Sequence, residues 1–96
     1  MAIFNIVATT RENIGALDQA IAKAYDESDR MRINELYWMV SDNKSTVDVT
    51  KKIGIVGPKQ DGIPAAIVTK VESYYGRAPN TIWEWMKVKL EGGNND

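Results

Sequence analysis

The stretch that most restricts the fold is residues 33–40, INELYWMV, an extended run that is apolar on both of its faces. Leu36, Trp38 and Val40 alternate to one side, while Tyr37 and Met39 alternate to the other. Covering both sides of such a strand takes helices on both faces of a sheet.

The neighbouring patterns supply those helices. Residues 3–8 form a short apolar run closed by Thr9 and Thr10, which reads as a first strand. Thr9 with Glu12 fits a capping box, and Ile14, Leu17, Ile21, Ala24 and Tyr25 recur at helical spacing up to Asp26. A charged connector, residues 26–30, leads to the two-faced strand. Ser45 then caps a predicted helix over residues 46–53, with Val49 and Ile53 inward and Gly54 as its C-terminal glycine. Residues 56–62 hold two glycines and a proline and read as a mobile loop. The third strand is predicted over residues 65–73, and Asn80 after Pro79 starts a last helix carrying Ile82, Trp83, Trp85, Met86 and Leu90. Residues 1–91 make one domain, and residues 92–96 a disordered tail.

The resulting order, β-α-β-α-β-α, predicts a small α/β domain of two or three layers around a three-stranded, mostly parallel sheet. No Asn-Gly or Asp-Gly joins two strands directly, which favours crossovers over hairpins. Strand orders 2-1-3 and 3-2-1 both remain open. A parallel sheet this narrow leaves its edges bare, so a dimer or another protein partner is expected. Three Trp and four Tyr exceed what such a core hides, and those residues are enriched at interfaces. Trp83 and Trp85 stand about 200° apart on a helix and cannot share one core. They are the candidate interface residues.

Composition removes much chemistry. The chain has no Cys and no His, which excludes disulfides, thiolate nucleophiles, Ser-His pairs and the common zinc sites. No cofactor or metal site is expected. With 12 basic against 13 acidic residues, scattered rather than clustered, a long nucleic acid is not the expected partner. The N-terminal residues lack a signal-peptide pattern, and no apolar run is long enough to span a membrane, so the sequence reads as cytoplasmic.

A parallel sheet gathers the ends of its strands and the starts of its helices on one rim. There the sequence puts Thr10 and Arg11, Lys44 and Ser45, and Tyr75, Gly76 and Arg77, a set suited to a phosphate, sulfate or carboxylate. The ordinary account of the same residues is that the hydroxyls cap helices and the cations are solvated. Three readings follow. The first is a non-enzymatic binding or regulatory module that self-associates or docks on a protein through a Trp/Tyr surface. The second is a sensor of a small anionic ligand or nucleotide at the rim. The third is an enzyme, which requires at least two of Asp42, Glu72 and Tyr74 in one pocket.

Overall fold

A computed structural model describes residues 1–57 and 62–92. Its elements are β1 (Ala2–Ala8), α1 (Ile14–Ala24), a single 3-10 turn (Glu27–Asp29), β2 (Arg30–Asn34), β3 (Tyr37–Asp42), α2 (Thr46–Ile53), β4 (Ala66–Lys70) and α3 (Asn80–Gly92). The four strands form one sheet in the order β2-β3-β1-β4, and every neighbouring pair is antiparallel. The molecule is therefore a small α+β domain, and the expected three-stranded parallel α/β sheet is wrong.

The error has one source. The octet 33–40 is not a single strand but the tip of a hairpin, with Glu35 and Leu36 as the turn between β2 and β3. Two-residue hairpins usually need positive φ at the turn, hence Asn-Gly or Gly. Neither Glu35 nor Leu36 has it. Instead the ladder slips by one residue between Arg32 and Asn34, and the Asn34 side-chain carbonyl accepts from the Leu36 N–H at 3.0 Å. The extra strand reverses the chain once more than expected. β1 and β2 then run the same way with β3 inserted between them, the split β-α-β, or ferredoxin-like, arrangement.

The two-faced pattern is satisfied as its residues require. On one face Phe4, Ile6, Trp38 and Val40 pack with Leu17, Ile21 and Tyr25, and with Val49 and Ile53 of α2. On the other, Ile3 and Met39 are covered by Met86 of α3, with Ile82, Trp83, Trp85 and Leu90 around them. The indole of Trp38, buried among the α1 residues, donates to Asp18 at 2.8 Å, and the Arg32 guanidinium lies over its ring.

Local signals place the helices. In α2, Ser45 accepts from the Asp48 N–H and the Asp48 carboxylate accepts from the Ser45 N–H, while Gly54 takes the left-handed conformation at φ 96°. α1 starts later than the sequence suggests. Asn13, at φ 55°, precedes it, and Thr10 rather than Thr9 accepts from the Glu12 N–H. α3 is pinned at its far end by Trp85 Nε1 donating to the Ser28 carbonyl and by Lys89 paired with Asp29 at 2.9 Å. Most of the loop expected at 56–62 and the tail beyond α3 lie outside the described residues.

Candidate functional site

Antiparallel pairing divides the expected rim between the two opposite strand ends of the sheet. The end of β1 lies beside the β2–β3 turn, where Arg11 pairs with Glu35 at 2.9 Å and Thr10 is occupied in the turn before α1. The end of β3 lies beside the start of β1, so Lys44 and Ser45 are at the opposite strand end of the sheet. There the Ser45 hydroxyl is engaged in the α2 cap. The third group, Tyr75, Gly76 and Arg77, follows β4 and folds back across the α3 face.

That third group lines a groove of about 320 Å³ between α3 and the sheet. Its floor is Met39, Met86, Ile33 and Ile82, and its walls are Tyr37, Tyr74, Tyr75 and Trp83. Tyr74 stacks on Trp83 with ring centroids 5.8 Å apart. Tyr75 is fully exposed at the rim. Tyr37, whose phenol burial holds above its ordinary pKa, donates to the Asn5 side chain at 2.6 Å and so presents its ring rather than a free hydroxyl. Gly76, at φ 153°, has nothing within 4 Å of where a Cβ would stand, so the loop leaves the groove open at that point. Arg77 is exposed and makes no ion pair or hydrogen bond among the described residues, leaving its guanidinium free at the mouth. The second interface candidate, Trp85, lies outside the groove, half-buried against the 3-10 turn, and it packs on the same Ile3, Met39 and Met86 core as Trp83, so the expectation that the two could not share one core is wrong.

A larger groove, about 540 Å³, runs between α1 and α2 past Lys23, Lys51 and Lys52. These lysines stand in the last turns of their helices, where a cation complements the carbonyl ends. Lys52 is also held 3.6 Å from Asp42 and over the Tyr25 ring. The cations there already have structural work.

Asp42 is the buried carboxylate among the described residues, 6% exposed. Burial works to raise its pKa. The Tyr25 hydroxyl at 2.7 Å, the backbone N–H groups of Asn43 and Lys44 and the Lys52 ammonium together outweigh burial and hold it below the ordinary carboxylate value. Tyr25 is pushed up in turn, by burial first and then by its bond to Asp42. The arrangement ties the ends of α1, β3 and α2 together. Asp42 shares its face with Trp38 and Val40, whereas Tyr74 stacks on α3 across the sheet. Those two members of the trio that an enzyme would require therefore do not meet.

Sequence reasoning missed Tyr37, Met39 and Ile33 as groove residues, because with the hairpin unseen they belonged to one central strand. No group of three or more acidic side chains able to hold a metal occurs among the described residues, and no described helix is long and apolar enough to cross a membrane. The sequence matches no family model and no curated protein.

Proposed function

We propose that the protein is a non-enzymatic binding module that receives a short segment of a partner protein in the groove between α3 and the sheet. The observation that carries this reading is the composition of that groove: three Tyr, one Trp, two Met and one unpaired Arg around an apolar floor. Those residue types are enriched at protein interfaces, where the Tyr and Trp rings bury large area at low entropic cost and Arg offers a bidentate cation. The volume suits one or two side chains rather than a large cofactor. The segment it fits carries an aromatic or branched apolar side chain for the Tyr75–Trp83 wall and a carboxylate for Arg77.

Selection of a random peptide library on the immobilised protein tests the proposal. Enriched peptides are expected to pair an apolar residue with a nearby acidic group or a free C-terminus. Tyr75→Ala and Arg77→Ala are each expected to cost about 2 kcal/mol of binding, close to thirtyfold in Kd, and both sites are exposed enough to leave folding intact. Trp83, stacked within the groove, should report binding by its fluorescence. Failure to enrich any motif, or binding that survives both substitutions, would remove this reading. The small-anion reading keeps one support, the free guanidinium of Arg77, and the same Arg77→Ala variant titrated with phosphate and sulfate separates it from the peptide reading.

A further inference from the structure

The sheet has two edges, and among the described residues only one of them is protected. At the β2 edge the ladder is bulged between Arg32 and Asn34, Arg30 and Arg32 flank the strand, and α3 is anchored to the adjoining turn. Bulges and charges of this kind are how native sheets prevent further strands from adding. The β4 edge has neither a bulge nor an internal proline, and its single charge is Lys70 at the end. Ile67 on it is 58% exposed.

The polarity of that edge follows from its pairing with β1. The Thr9 N–H donates to the Ala65 carbonyl and the Val71 N–H to the Ile3 carbonyl, so the odd-numbered residues of β4 point their backbone groups inward. Ala66, Val68 and Lys70 therefore point theirs outward, and none of these groups has a partner among the described residues. This row is symmetric about Val68.

We infer that two copies of the chain join through β4, antiparallel about a two-fold axis at Val68, to make one continuous sheet. In that register Val68 faces its own copy and Ala66 faces Lys70 of the second copy in both directions, so each outward residue exchanges two hydrogen bonds. Shifting the register by two residues toward the N-terminus sets Lys70 against Pro64, which has no N–H to give. Between the bonded pairs, Ile67 meets Thr69 of the second copy at the short cross-strand spacing, on the α3 face, and its exposed surface is covered. No like charges oppose one another. The contact is narrow, so the association is a weak, concentration-dependent one.

This dimer is independent of the groove. Sedimentation velocity over a rising concentration series is expected to show monomer passing to dimer. Val68→Pro deletes an outward N–H that the fold itself does not use, and Ile67→Lys adds a charge at an exposed position; each should weaken dimerisation tenfold or more while the circular dichroism stays native. Because the chain has no native cysteine, Val68→Cys under mild oxidation should give a single disulfide-linked dimer, its Cα atoms lying within bonding range across the axis. A monomer at every concentration, or a dimer that ignores both Val68→Pro and Ile67→Lys and leaves the thiol of the Val68→Cys variant reduced, would overturn the inference. Should Val68→Pro fail to fold, Ile67→Lys and the cysteine variant still decide it.

Discussion

At the scale of single residues the most consequential group is Asp42, a carboxylate kept charged inside a mostly apolar layer. Its folded pKa lies below the ordinary value of 3.8, so its contribution to stability is complete above that value and is lost as pH falls through the folded pKa. Replacing it tests this directly. Asp42→Asn keeps an acceptor for Tyr25 but loses the charge facing Lys52, and is expected to cost about 1–3 kcal/mol at neutral pH. The deficit should shrink below about pH 4, where the native carboxylate is itself being protonated. Urea unfolding at neutral and acid pH measures both arms; a deficit constant across that range would mean that charge is not what Asp42 supplies. Asp48 is also held below the ordinary value, by the Ser45 hydroxyl and N–H first, but it is exposed and belongs to the α2 cap. Comparing variant with parent at each pH isolates Asp42 from it. Ser41 is the counterexample on the neighbouring strand position, a buried hydroxyl without a partner among the described residues, beside Ile3 on the α3 face.

At the scale of elements, what is legible in the sequence is what short-range chemistry decides. α2 occupies the expected residues 46–53 because its start needs only Ser45 and Asp48 and its stop only Gly54. Ser45→Ala is accordingly expected to cost about 1 kcal/mol and to act on α2 alone, which thermal unfolding with amide exchange of residues 46–53 would measure. Undiminished stability would mean that the cap is solvent-replaceable. The β2–β3 hairpin shows the opposite case. Its turn carries no glycine, its first strand is divided in the sequence pattern, with Arg30 falling in the charged connector and Ile33 and Asn34 in the apolar run after it, and its register depends on a one-residue slip that a two-fold alternation does not reveal. Tyr37 and Met39 do face away from Trp38, as the alternation predicts. What the alternation hides is the chain reversal before them, and a single hidden reversal is enough to divide a parallel rim between the two strand ends of the sheet. Tyr75, Gly76 and Arg77 stay together because they are adjacent in the chain, whereas the grouping of Thr10, Arg11, Lys44 and Ser45 depends on strand direction and is dispersed.

For the whole molecule, the sheet divides the apolar interior into two unequal parts, and this predicts unequal cooperativity. Among the described residues, the layer under α1 and α2 joins eleven buried ones, whereas the layer under α3 rests on Ile3, Met39 and Met86. Local opening follows the density of such contacts, so α3 is the layer that releases first. Met86 is the only helix residue among those three, and Met86→Ala should remove about 2–5 kcal/mol of packing. Trp85 on Ser28 and Lys89 on Asp29 would then hold one end of α3 while the end nearest Tyr74 and Arg77 loosens. Native-state hydrogen exchange is expected to show amides of residues 80–84 losing protection well before those at the centre of β1 and β3, with the α1 and α2 layer retained. Peptide binding in the groove should weaken together with that loss, since its floor and one wall move with α3. Equal loss of protection in every element would instead make the two layers a single cooperative unit, and the groove would then have a floor as firm as the core.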